Sequence, residues 1–187
     1  MVLGLPRGGV PVAFEVARAL GAPLEVLVAR KLGAPGNPEY ALGAIAEGGA
    51  VVLEDEAVAE SGAGEAELAR LVEQETAELA RRVRAYRGDR PLPPLAGRTA
   101  ILVDDGIATG RTALAAVRAL RRLGPRRLVL AAPVAAAETA AKLRGEVDEL
   151  VCLAEPELFF AVGSWYERFG QTSDDEVREL LERARPT

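Results

Sequence analysis

Five short apolar runs separated by helical patterns constrain this 187-residue chain more than any other feature. The runs are Val2–Leu5, Leu24–Ala29, Thr99–Val103, Leu128–Pro133 and Val147–Leu153. The helical segments are Val10–Leu20, Glu65–Tyr86, Arg111–Leu123 and Glu138–Arg144, each ending near a Gly, a Pro or a turn cluster. Apolar strands alternating with amphipathic helices read as βαβ units. The expected fold class is therefore α/β, with a mostly parallel central sheet flanked by helices.

The length suits one domain, expected to span 1–187, and an apolar share of 49% with 27% charged residues is enough to bury a core. The longest apolar runs, such as Leu128–Ala137, fall short of the ~18 residues that cross a bilayer. No basic-then-apolar leader precedes Val2, so a cytoplasmic location without a membrane partner is expected. Cys152, the single cysteine, has no disulfide or thiolate-cage partner and is expected inside a strand core. Histidine is absent, which excludes Ser-His-Asp triads, Cys-His pairs and His-based zinc sites or general bases. A net charge of -5 with no basic tract argues against a nucleic-acid partner.

Other segments read structurally. In Glu65–Tyr86 the apolar residues Leu68, Leu71, Val72, Leu79, Val83 and Tyr86 recur at helical spacing, as on a surface helix. Residues 31–50 are rich in Gly and Pro and predict either a loop or a pair of short strands with a mobile tip. Arg90–Leu95 reads as a rigid extended connector. Ser173 and Glu176 resemble a capping box, predicting a last helix to about Ala184.

The chemistry concentrates in Ile101-Leu-Val-Asp-Asp-Gly-Ile-Ala-Thr-Gly-Arg-Thr112. An apolar strand ends in two carboxylates, and a loop of small residues then opens an amphipathic helix. Open α/β sheets bind ligands at such strand ends, where a helix N-terminus offers unpaired N–H groups to an anion. Ala108 and Gly110 let the backbone approach phosphate oxygens, and the hydroxyls of Thr109 and Thr112 add donors. Asp104 and Asp105 suit the cis-diol of a ribose and the water shell of a magnesium ion. Gly8 and Gly9, between the first strand and its helix, allow a nest of N–H groups, with Arg7 adding fixed charge for a diphosphate.

These residues resemble the signature of the type I phosphoribosyltransferases: an apolar strand, two acidic residues, three variable residues and Thr-Gly. The resemblance covers most of the chain, is closest to a subgroup described only as predicted phosphoribosyltransferases, and implies a Rossmann-like fold with a small hood, here mainly 154–172. It implies that Ala108, Thr109, Gly110, Arg111 and Thr112 hold the 5-phosphate of 5-phosphoribosyl-1-pyrophosphate (PRPP). Arg7, Gly8, Gly9 and Lys31 would hold its pyrophosphate. Asp104 and Asp105 would hold the diol and, through water, Mg2+, and they join Lys31 and Arg7 as the catalytic set. Pro35–Tyr40 resembles a loop that closes over PRPP, and Trp165 and Tyr166 fall where the family covers its acceptor base.

Two departures stand out. Ala108 replaces the aspartate common before Thr-Gly in enzymes acting on 6-oxopurines, which disfavours hypoxanthine and guanine as acceptors. The chain also starts at the first strand, where relatives generally carry a preceding helix. The implied activity is Mg-dependent transfer of the 5-phosphoribosyl group to a nitrogen acceptor, a nucleobase, with release of pyrophosphate. A non-catalytic PRPP or nucleotide sensor of the same fold is the alternative, and homodimers are usual among relatives.

Overall fold

A computed structural model describes residues 1–185. In chain order its elements are β1 (Val2–Gly4), α1 (Gly9–Leu20), β2 (Leu24–Val26), β3 (Ala29–Ala34), β4 (Asn37–Ala46), β5 (Ala50–Leu53), α2 (Asp55–Ser61), α3 (Glu65–Arg87), β6 (Thr99–Val103), α4 (Arg111–Arg122), β7 (Arg127–Val134), α5 (Ala137–Arg144), β8 (Glu149–Ala154) and α6 (Asp174–Arg183). A 3-10 turn covers Val162–Trp165. Among the described residues no helix is long and apolar enough to cross a membrane.

Five strands form a wholly parallel sheet in the order β2-β1-β6-β7-β8, the α/β sheet expected from the apolar runs. From β1 the chain crosses through α1 to β2 on one side; from β6 it crosses through α4 to β7 on the other. The order therefore reverses between β1 and β6, and the crevice at their carboxyl ends is where such sheets take ligands. Leu3, Leu102, Leu128 and Leu130 on one sheet face pack with Ala116, Val117 and Leu120 of α4. Val2 and Val103 on the other face pack with Ala13 and Ala17 of α1. Each fully buried Leu here contributes roughly 1.5–3 kcal/mol.

The Gly- and Pro-rich stretch 31–50 takes the two-strand form. β3, β4 and β5 make a separate antiparallel sheet, with Pro35-Gly36 at the β3–β4 turn. One side of this sheet joins the α4 core through Ala44, Ala46 and Val52; the other joins α3, α1 and α6 through Leu32 and Ile45. The expected second strand, Leu24–Ala29, accordingly divides: β2 ends at Val26 and the chain leaves for the second sheet. Cys152 is another correction, since it lies half-buried on β8, which pairs only with β7 among the described residues. Helix α2 was not anticipated, while α6 starts as expected, with Ser173 Oγ accepting from the Glu176 N–H.

Candidate functional site

The site grows from two neighbouring strand ends. Leu5 N–H donates to the Val103 carbonyl at 2.9 Å, tying the chain beyond β1 to the end of β6. The turn Pro6-Arg7-Gly8, whose Pro6–Arg7 peptide is cis, leads into α1. A Cβ on Gly8 would lie 1.8 Å from Asp105 Oδ2, and one on Gly9 would lie 2.6 Å from the Val103 carbonyl oxygen. Glycine is required at both because the α1 loop and the two aspartates occupy one small space.

Asp104 Oδ1 accepts the Asp105 N–H at 2.9 Å, so the two carboxyls are neighbours at the end of β6. Burial pushes the Asp104 carboxyl well above its ordinary range, and the Asp105 charge pushes it further. Burial also raises Asp105. Among the described residues no basic side chain contributes to either shift. Shielded acids without a counter-charge suit hydroxyl donors or a hydrated divalent cation. No group of three His, Cys, Asp or Glu side chains that could hold a metal occurs among the described residues, so a magnesium ion here would draw its other ligands from water and a bound anion.

Beyond the acids, residues 106–110 form the loop that opens α4. Gly110 has φ 72°, and a Cβ there would meet Thr139 Cγ2 at 2.5 Å. The loop is fixed from α5, where Thr139 Oγ1 donates to the Ala108 carbonyl at 2.7 Å, and from β7, where Val134 accepts the Ile107 N–H at 2.9 Å. A cavity of about 170 Å³ is lined by Asp104, Ala108, Thr109, Gly110, Arg111 and Thr112, among others. Every residue expected to cradle a monophosphate thus faces one concavity at a helix N-terminus.

The segment after β8 folds over the acids. Val162 lies against Gly106, where a Cβ would approach its Cγ1 to 2.5 Å. Tyr166 donates its hydroxyl to the Asp105 carbonyl at 2.5 Å, and its ring lies 5.2 Å from that of Phe169, tilted by 45°. Burial, then the Asp105 and Asp104 charges, push the Tyr166 phenol up to about 12. A cavity of about 250 Å³ separates this cover from α1, with Gly8, Asp105, Tyr166, Arg168, Phe169 and Gln171 in its wall. Trp165 is absent from that wall and is 47% exposed. Sequence reasoning missed Phe169, Arg168 and Gln171; the aromatic Phe169, three residues past Tyr166, was the available signal.

The expected pyrophosphate cations sit to one side. The Arg7 guanidinium is 3.7 Å from Asp174 on α6, and Asp174 also accepts the Tyr86 hydroxyl at 2.6 Å. Lys31 is exposed on β3, in the second sheet, and lines a separate cavity of about 540 Å³ together with Arg30, Glu75 and Arg82. Arg30 is engaged structurally, its Nε donating to Glu75 at 2.5 Å. The fold therefore unites Asp104, Asp105, Gly8, Gly9, Tyr166 and the 108–112 loop, with Arg7 at their border, whereas Lys31 lines a separate cavity.

This constellation has counterparts. A Mycobacterium tuberculosis protein (strain CDC 1551 / Oshkosh), MT0597, provisionally named a phosphoribosyl transferase, is 53% identical over 184 residues, 98% of this chain. The chain spans only 42% of that relative's length. The crystal structure of TT1426 from Thermus thermophilus superposes with a TM-score of 0.81 at 46% identity, covering 97% of this chain and 86% of that one. The AQ2163 protein of Aquifex aeolicus shares the fold at 15% identity and a TM-score of 0.50, over 82% of this chain and 53% of its own. The family model of the phosphoribosyl transferase domain matches residues 1–168, a span that takes in the Arg7–Gly9 turn, both aspartates, the 108–112 loop and Tyr166, and the chain belongs to that family.

Proposed function

We propose that this protein transfers the 5-phosphoribosyl group from PRPP to a ring nitrogen of a nucleobase, releasing pyrophosphate. The observation that carries this reading is the packing of Gly8 directly against the Asp105 carboxylate, while the adjacent Asp104 shares a cavity with the 108–112 loop. Two anion-binding loops flank one pair of acids, which matches a substrate with a phosphate at one end of a ribose and a diphosphate at the other.

In this scheme the N-terminus of α4 and the hydroxyls of Thr109 and Thr112 anchor the 5-phosphate. Asp104 and Asp105 accept hydrogen bonds from the ribose diol and hold the waters of a magnesium ion. That ion, when bound, supplies positive charge that offsets the charge on the diphosphate. The acceptor nitrogen bonds to the anomeric carbon while the bond from that carbon to the diphosphate oxygen breaks. No protein nucleophile is required, and catalysis is mainly positioning and electrostatics. The Gly8–Gly9 amides and Arg7 receive the departing diphosphate, and Lys31 closes that side from β3. Phe169 and the Tyr166 ring give a planar base an apolar surface.

Calorimetric titration with PRPP, with and without magnesium, tests the reading. Binding that magnesium strengthens supports it, and pyrophosphate release on adding one of a panel of nucleobases identifies the acceptor. Folded protein that ignores PRPP in both conditions overturns the reading. Binding without release on any acceptor makes the protein a PRPP sensor.

A further inference from the structure

The cations expected for the pyrophosphate lie apart, Arg7 in the turn before α1 and Lys31 on β3 in a cavity wall, and α3 touches the surroundings of both. Leu71, Glu75, Glu78, Arg82 and Tyr86 follow one another at helical spacing and form a single stripe. At one end, Leu71, Glu75 and Arg82 share a cavity wall with Lys31. At the other, Tyr86 donates to Asp174, which pairs with Arg7. Arg82 precedes Tyr86 by one turn, a rise of ~6 Å. It is therefore the stripe's cation between the Lys31 cavity and the Arg7 pair.

Its setting is that of a positioned donor. Arg82 Nε donates to Glu78 Oε1 at 3.0 Å, and the side chain remains 35% exposed. Among the described residues this bond uses only Nε, so the outer nitrogens of the fork are not committed to another protein group. The Asp174 carboxyl is held below its ordinary range first by the Tyr86 hydroxyl and then by the charges of Arg7 and Arg82. One carboxylate thus lies in the fields of both arginines.

We propose that Arg82 is a third cation of the pyrophosphate site, linking Arg7 to Lys31 along α3; this rests on the phosphoribosyltransferase reading. A planar guanidinium presents paired donors to phosphate oxygens, and its anchoring by Glu78 reduces the freedom lost on binding. The diphosphate replaces Asp174 at Arg7 and takes the outer nitrogens of Arg82.

Inorganic pyrophosphate with magnesium, and ribose 5-phosphate as the ligand lacking a diphosphate, are titrated calorimetrically into the wild type and variants. Arg82→Gln is expected to weaken pyrophosphate by about tenfold or more, the loss of a charge-assisted contact. Ribose 5-phosphate should bind as before. Arg84→Gln, which removes an 80% exposed arginine of the same helix paired only with Asp89 among the described residues, should change neither ligand. Should Arg82→Gln not fold, Arg82→Lys replaces it and must show an intermediate loss for pyrophosphate alone. Unchanged pyrophosphate affinity, or equal losses for both ligands, overturns the proposal while leaving the PRPP reading intact. A wild type that binds neither PRPP nor pyrophosphate overturns both.

Discussion

The acid pair at the end of β6 and the cations that extend from Arg7 along α3 to β3 treat charge in opposite ways. On one flank Asp104 and Asp105 sit together, shielded, with no basic side chain among the groups that set their ionisation. On the other, Arg7, Arg30 and Arg82 each face a carboxylate of the protein: Asp174, Glu75 or Glu78. The acidic flank carries unbalanced charge that burial makes costly, so a ligand with hydroxyls or a cation relieves it. The cationic flank is already paired, so an anion there exchanges with Asp174 at Arg7 and adds to the outer nitrogens of Arg82. One half of the site is set up to gain a partner and the other to exchange one.

The largest test of that contrast is Asp105→Asn. Loss of the carboxylate removes charge-assisted bonds worth about 1.5–3 kcal/mol, so magnesium-dependent PRPP affinity should drop by tenfold or more and turnover should vanish. Unchanged activity would remove the acidic flank from the site. Gly8→Ala comes next, since its Cβ would overlap Asp105 and force the loop or the acid to move. Overpacking of this kind costs about 1–3 kcal/mol, which lowers the melting temperature by about 2–4 °C per kcal/mol and should also impair PRPP binding. A variant with wild-type stability would mean that the two loops are not in contact.

The smallest expected effect has the opposite sign. Because the folded carboxyl of Asp104 titrates above its unfolded value, folding holds its proton more tightly. The resulting stability is complete below the unfolded pKa and disappears as pH rises through the folded one. At neutral pH in a chelator, Asp104→Asn should therefore melt higher than the wild type, with the gap closing as pH falls toward 4. An equal or lower melting temperature at neutral pH would show that the acid pair is not strained in the ligand-free protein. The same variant should bind PRPP more weakly, setting stability against function.

How legible each flank was follows from sequence distance. Asp104, Asp105 and the 108–112 loop lie within nine consecutive residues, so strand, acids, small residues and helix start appear together in one reading frame. The Arg7–Gly9 turn was visible for the same reason, although its contact with Asp105 crosses nearly a hundred residues and could not be read locally. The cationic flank had no such compactness. Lys31 follows the apolar run Leu24–Ala29 closely, yet β2 stops at Val26 and Lys31 belongs to a second sheet. Arg82 is one of several arginines on an amphipathic helix, and Asp174 lies between the two residues of the capping box, so neither has a local signal.

The sequence by itself determined the parallel α/β sheet, because apolar period and turn residues act over a few positions, and it determined the 108–112 loop at the start of α4, because a helix N-terminus is built from neighbours. Only the tertiary structure decided that Gly8 presses on Asp105, that Phe169 rather than Trp165 lines the cover, and that α3 runs between Arg7 and Lys31. Those relations depend on how separate elements pack, and packing is set by the shapes and charges of surfaces that meet only after the chain has folded.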